Sequence, residues 1–293
     1  MSIFMATDTQ PADASIADVA AEEAEVQQLL PLLGYEPALE PIGVVETLTD
    51  EQLTELNGLL PWSCFITDGS GRRFGQPAAP TKFGKPKRSV PMRVPDKRVT
   101  LADARFGLKD LTVLEIGCFE GIHTADLARR ARHVKACDSR IVNLAKTAVR
   151  CAMYQINATV FLWDVEQPLP RGQDASCDIL FHVGVLYHLV DPIGHLRRIA
   201  PQVRRGVILD THYAADNKAT DTYVVNGDTF RCRQMDEGGV ANVFSGMYQN
   251  ARWLKLDDLV KVLADLGFGK VEVMTREERH GPRVLILAER EIS

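Results

Sequence analysis

No stretch of this sequence approaches the roughly 18 consecutive apolar residues that a membrane-spanning helix requires, so no span is predicted. The opening run MSIFMATDTQPADAS has no basic start followed by an apolar block, and no secretory signal is expected from it. Paired cysteines are absent as well. Cys64, Cys118, Cys137, Cys151, Cys177 and Cys232 are scattered with no C-x-x-C among them, which argues against a zinc site and a disulfide framework. They read as reduced thiols of a cytoplasmic protein. Excess positive charge is missing: the net charge is −5 and the isoelectric point about 5.8, a balance that disfavours a general nucleic-acid binder. His182, His188, His195 and His212 fit no H-E-x-x-H or similar spacing, and no metal is expected. The pyrophosphate fingerprint G-x-G-x-x-G is also lacking, which argues against a nicotinamide oxidoreductase.

What is present is enough chain, 293 residues, for one large domain with an N-terminal extension. Residues 1–20 read as frayed, and Ala17–Leu33 as one helix ending near Pro31. Thr49–Leu60 reads as a better helix, because Thr49 and Gln52 stand at capping-box spacing. Gly69–Lys97 is rich in Gly, Pro, Lys and Arg without apolar period and reads as an ordered loop, its charges either a solvated surface or a basic flap over an anion. From Thr100 onward short apolar strands alternate with amphipathic helices. Strands are expected at Thr112–Ile116, His133–Cys137, Thr159–Trp163, Ile179–Val183 and Gly206–Asp210, with Asp178 ahead of the fourth. The helix after the second strand carries Ile141, Leu144, Ala145, Ala148, Val149, Ala152 and Met153 on one face. This alternation predicts an α/β fold with a parallel sheet covered on both sides. Lys270–Met274 and Arg283–Glu289 stand too close for a crossover helix and are expected to pair antiparallel. The expected division is 1–99 as a helical extension with its basic loop and 100–293 as the main domain. An insertion at about 212–252 is long for a connection and reads as a substrate lid.

Ligands of open parallel sheets sit beyond the carboxyl ends of the strands. Glu115, Gly117 and Gly121 lie at the first such end, in VLEIGCFEGIHT. Gly117 lets a ligand approach the backbone, while the bulky Phe119 argues against a diphosphate. A sulfonium nucleoside has no phosphate, and Glu115 would face its ammonium. Asp138, at the second end, suits a ribose cis-diol, and the same position also serves as an N-cap. Asp164, Val165 and Glu166, at the third, suit adenine or form a surface turn, with Trp163 beside them. Beyond the fourth lies HVGVLYHL, nearest the transferred group. His188 and His212 are the candidate general bases, Tyr187 a positioning group, and His195 a surface or packing residue. Arg231, Arg233 and Arg252 are candidates for holding an anionic acceptor.

Glycine loop, ribose acid, adenine acid, post-strand loop and closing hairpin occur in an order that resembles the class I S-adenosylmethionine (SAM) methyltransferases over about residues 100–293. That resemblance implies their Rossmann-like seven-stranded sheet, mostly parallel with a C-terminal antiparallel hairpin. Gly184–His188 (GVLYH), Gly246–Leu259 and Pro282–Glu289 look like the tRNA wobble-uridine carboxymethyltransferase branch, which uses carboxy-SAM. The resemblance implies cofactor contacts at Gly117, Asp138, Ser139, Arg140, Val165, Glu166 and Val183. It also implies Tyr187 and Arg283 near the reactive end, and Trp253 falls in the matching Gly246–Leu259 segment. The branch has glycine where this chain has Phe119 and Asp164, and its tryptophan- and lysine-rich segment is not recognisable in SVPMRVPDKRVTLADARF. SAM-dependent O-methylation of a small-molecule, glycan or natural-product acceptor is therefore the preferred expectation. The alternatives are tRNA wobble-uridine carboxymethyl or methyl transfer with carboxy-SAM, and a non-catalytic SAM-binding partner subunit. The sequence leaves a homo-oligomer open.

Overall fold

The computed structural model describes Leu30 and residues 42–78, 89–278 and 281–291. The helix expected over Ala17–Leu33, the first residues and part of the basic stretch lie outside the described residues.

Helix α1 (Asp50–Leu59) starts as its cap predicts. Thr49 Oγ1 accepts from Gln52 N at 3.3 Å, and Gln52 Oε1 accepts from Thr49 N at 2.9 Å. Strands β1 (Phe65–Thr67) and β2 (Arg73–Gly75) then pair antiparallel. The stretch from Gly69 therefore contributes a strand where a plain loop was expected. Its anchor is Phe74, fully buried against Trp62 and Ile66, while its neighbours in the sequence, Arg73 and Gly75, give no alternation. Helix α2 (Lys97–Phe106) is capped by Asp96, whose Oδ1 accepts from Arg98 N at 2.8 Å, and runs across position 99/100.

The main domain continues as β3 (Thr112–Ile116), α3 (Ile122–Ala128), β4 (His133–Asp138), α4 (Ile141–Met153), β5 (Ala158–Leu162), β6 (Cys177–Val183), α5 (Pro192–Ile199) and β7 (Val203–His212). Asp178 lies inside β6 rather than ahead of it. After the insertion come α6 (Leu256–Asp265), β11 (Lys270–Glu277) and β12 (Arg283–Glu289). The seven-stranded sheet has the order β11-β12-β7-β6-β3-β4-β5. Strands β3 to β7 run parallel, and β12 pairs antiparallel with both β7 and β11. Alternation explains its two cores. Leu114, Ile116, Leu180 and Leu209 join one buried cluster, while Val113, Ile179, Phe181 and Ile208 join the other. Truncating any of these to Ala should cost about 2–5 kcal/mol.

The insertion is a three-stranded antiparallel sheet of its own, in the order β10-β9-β8, built from β8 (Asp221–Val225), β9 (Asp228–Asp236) and β10 (Asn250–Leu254). It is stitched to the body by Arg252 N to Leu189 O at 3.0 Å and Ala214 N to Leu254 O at 2.8 Å.

Candidate cofactor and acceptor site

The carboxyl ends of the parallel strands and the insertion enclose a cavity of about 1130 Å³. Sites for one small ligand span roughly 300–1,000 Å³, so a cofactor and a small acceptor fit together.

The loop after β3 is wired into the protein. Gly117 N and Cys118 N both donate to Cys137 O, at 2.9 and 3.0 Å, and Phe119 N donates to Asp138 Oδ2 at 3.1 Å. Those amides are committed and form no phosphate nest. Gly117 is left-handed, φ +76°, and a Cβ there would lie 2.3 Å from Val185 Cγ2. Gly121 serves packing instead: a Cβ there would lie 2.9 Å from Thr147 Cα, and the residue does not line the cavity. Glu115 does not line it either. Its Oε2 accepts from Thr124 Oγ1 at 2.5 Å, its Oε1 has no partner, and burial pushes its carboxyl up to about 7. Glu115 and Gly121 thus stand one layer behind the cavity wall, Glu115 held by Thr124 of α3 and Gly121 packed on Thr147 of α4, so a contact of Glu115 with an ammonium would run through water rather than directly.

Asp138 lines the cavity and also braces its surroundings. Besides Phe119 N, it accepts from Arg140 N at 2.9 Å and Asn143 Nδ2 at 3.0 Å. Burial raises its carboxyl above the ordinary range. Ser139, Val165 and Val183 line the cavity, as do Asp164 and Glu166. Asp164 accepts from Tyr248 Oη at 2.9 Å, and Glu166 accepts from Asp191 N at 2.8 Å. Arg140 lines the cavity as well and also reaches the insertion. Its Nη2 donates to the carbonyls of Gly239, Asn242 and Gly246, at 3.1, 3.0 and 3.2 Å, clamping the insertion over the cavity.

Beyond β6 the expected residues converge. The Tyr187 ring lies 4.1 Å from that of His188 and stands perpendicular to His212 at 4.7 Å. His212 in turn stacks on Trp253 at 4.7 Å. His212 Nδ1 donates to Pro282 O at 3.1 Å, leaving Nε2 as its acceptor. Burial, then the Arg283 guanidinium, pushes this imidazole down to about 4, so it is neutral near pH 7. Arg283 Nε donates to Asp210 Oδ1 at 2.6 Å, and Arg98 Nη1 donates to Asp210 Oδ2 at 3.1 Å. Burial alone would raise the Asp210 carboxyl, but the two guanidiniums hold it below its ordinary value. His182 and His195 are buried against each other, with Nε2 atoms 2.9 Å apart, as packing residues. Of the three arginines considered for an anionic acceptor, Arg233 lines the cavity, whereas Arg231 donates to Ala219 O and Arg252 to Val190 O.

Glu237, Phe244, Arg98 and Asp210 were not singled out in the sequence, yet all line the cavity. Asp210 carried a usable signal, an acid ending a parallel strand as Asp138 does. Glu237 carried none, since His188 lies far away in the chain, and Arg98 carried none toward the cavity, since its neighbour Asp96 pairs with it locally while Asp210 lies 112 positions on.

Residues 113–206 match the family model described as a methyltransferase domain. The fold superposes on the N-terminal domain of EvdMO1, solved in the presence of SAH and D-fucose, with a TM-score of 0.67 and 21% identity over 85% of this chain and 100% of that one. Residues 113–206 thus carry a methyltransferase-domain match, set within a fold like that of the EvdMO1 N-terminal domain. The chain is also similar to two tRNA U34 carboxymethyltransferases. That of Shewanella amazonensis is 32% identical over 133 residues, 42% of this chain and 37% of the relative. That of Shewanella woodyi is 31% identical over 168 residues, 53% of this chain and 46% of the relative. This chain thus spans less than half the length of either relative. Among the described residues, no helix is long and apolar enough to cross a membrane.

Proposed function

We propose that the protein is a SAM-dependent O-methyltransferase acting on a hydroxyl of a small, saccharide-like acceptor. The observation that carries this reading is the convergence of His188, His212 and Tyr187 on a cavity of about 1130 Å³ walled in part by the insertion, which has room for the cofactor and a small acceptor together. The residues fit the cofactor. Asp138 and Ser139 would hold the ribose, Asp164, Val165 and Glu166 the adenine, and Gly117 and Val183 the tail. The committed amides of the loop suit a ligand without phosphate. When bound, SAM supplies a methyl group already activated by its sulfonium. The protein's share is to align the acceptor oxygen behind that carbon, an effect worth roughly 7–11 kcal/mol when geometry is right. The Trp253–His212 stack and the Tyr187 ring form an aromatic wall against which a sugar face can rest.

Calorimetry with SAH, followed by incubation with SAM and hydroxyl acceptors, D-fucose and related saccharides first, tests this reading. SAH binding and a mass gain of one methyl group on oxygen are expected. Binding without transfer to any acceptor would favour the partner-subunit alternative.

One observation favours a second reading, tRNA wobble-uridine carboxymethyl transfer: the Arg283 guanidinium lies 5.9 Å over the Tyr187 ring, so the two residues that the tRNA-modifying relatives' resemblance placed together are together. Carboxy-SAM with unmodified tRNA discriminates the readings. RNA binding would weaken steeply with salt, and small-acceptor methylation would not.

A further inference from the structure

We propose that His188 is the general base of the transfer and that Glu237, contributed by the insertion, is the positioning residue that orients and counter-charges it. The inference rests on the hydroxyl-methylation reading above. His188 Nδ1 lies 2.8 Å from Glu237 Oε1. A carboxylate can only accept, so Nδ1 carries the proton and Nε2 presents the lone pair. Proton uptake at Nε2 creates an imidazolium in contact with a carboxylate. The Glu237 side chain is only 9% exposed, so water screens that attraction little. Its other oxygen accepts from Gly246 N at 3.0 Å, which fixes the carboxylate from both sides.

The second imidazole is arranged the opposite way. His212 Nδ1 faces a neutral carbonyl, and the Arg283 guanidinium opposes any positive charge on the ring. His212 therefore stays neutral as part of the aromatic wall, while His188 has a counter-charge in place. The charged and titratable groups around His188 are Glu237 after β9, Tyr187 beside it, His212 from β7 across Tyr187, and Arg283 from β12 over the Tyr187 ring. In the step itself, His188 Nε2 takes the acceptor's hydroxyl proton as that oxygen bonds to the methyl carbon. The carbon–sulfur bond breaks with its electron pair left on sulfur, and the imidazolium later releases its proton to water.

Glu237 also couples the base to the cofactor side. Gly246 donates its N–H to Glu237 and gives its carbonyl to Arg140, two residues after Asp138. A Cβ on Gly246 would lie 2.4 Å from His188 O, so the loop reaches His188 only with glycine there.

Histidine ¹⁵N NMR of the SAH complex tests the pair without any acceptor. His188 should appear as the Nδ1–H tautomer, and Glu237→Gln, whose amide can donate as well as accept, should release that preference. In turnover with a hydroxyl acceptor, Glu237→Gln should lower kcat by roughly 10²-fold with little change in KM. Glu237→Asp should recover both the tautomer and part of the rate, and His188→Gln should cost at least as much kcat as Glu237→Gln. A His188 found as the Nε2–H tautomer, a tautomer unmoved by Glu237→Gln, or a rate lost in His212→Asn but kept in His188→Gln, would overturn the assignment. SAH binding with no hydroxyl methylated would remove the base role and the underlying reading together. An intact NMR signature in that case would still report the ion pair.

Discussion

The rings of Phe119 and Phe244 meet with centroids 5.8 Å apart, joining the loop after β3 to the insertion. Phe119 accepts a left-handed backbone, φ +52°, to make this contact. Side chains rarely adopt that conformation, and it costs on the order of 1–2 kcal/mol. An aromatic pair contributes about 0.5–1.5 kcal/mol beyond its burial. Phe119→Gly should therefore leave the melting temperature nearly unchanged while SAH affinity falls by roughly 2- to 10-fold. Calorimetry beside a thermal melt reads both. An affinity equal to wild type would show that the clasp does nothing for the cofactor.

The two loop glycines should fail differently. Gly117→Ala places its Cβ against Val185 at the cavity and should weaken SAH binding at least about 10-fold. Gly121→Ala drives a Cβ into the Thr147 backbone and should destabilise the fold by roughly 2 kcal/mol or more. Denaturant melts with and without SAH separate the two. Equal losses of binding relative to stability would mean that both glycines act alike.

Arg140 holds three carbonyls of the insertion with one nitrogen. Methionine keeps the long stem but donates nothing. Arg140→Met should expose the 237–246 segment to limited proteolysis and lower activity, while α4 and the sheet remain folded. Cleavage no faster than in wild type would refute the clamp.

Glu115 carries a pH signature. Its carboxyl titrates near 7 in the folded protein against 4.5 ordinarily, so the folded state binds this proton more tightly than the unfolded state does. The stabilising contribution is complete below about 4.5 and is lost as pH rises toward 7, a change of roughly 3 kcal/mol. Asp138 and Asp126 are raised by burial and act in the same direction. The buried imidazoles of His182, His195 and His212 are pushed down and act in the opposite direction, so the Glu115 share is read as a difference: Glu115→Gln should gain melting temperature relative to wild type on going from about pH 5 to pH 7. A difference between the two proteins that does not change with pH would show that Glu115 keeps one ionisation state across that range.

Much of the body was legible in the chain because its signals are local. The reciprocal Thr49–Gln52 cap, the short strand Thr112–Ile116 with its apolar Val113, Leu114 and Ile116, and the apolar face of Ile141–Met153 each lie within one element. The closing hairpin was legible because Lys270 and Arg283 stand too near for a helix between their strands. The insertion was not. Its β8 and β9 are mostly exposed, and in β9 only Phe230 and Cys232 are buried, so hardly any alternation marks it.

By itself the sequence determined the alternating elements, the parallel sheet and the row of acids and glycines at its carboxyl edge, because hydrophobic period and turn chemistry act over a few residues. Tertiary structure alone decided that Glu115 and Gly121 turn into the protein, that Arg98 and Arg283 share Asp210, and that Glu237 meets His188. Those contacts join residues up to 112 positions apart, and their energies come from burial and charge pairing that exist only once the layers have closed.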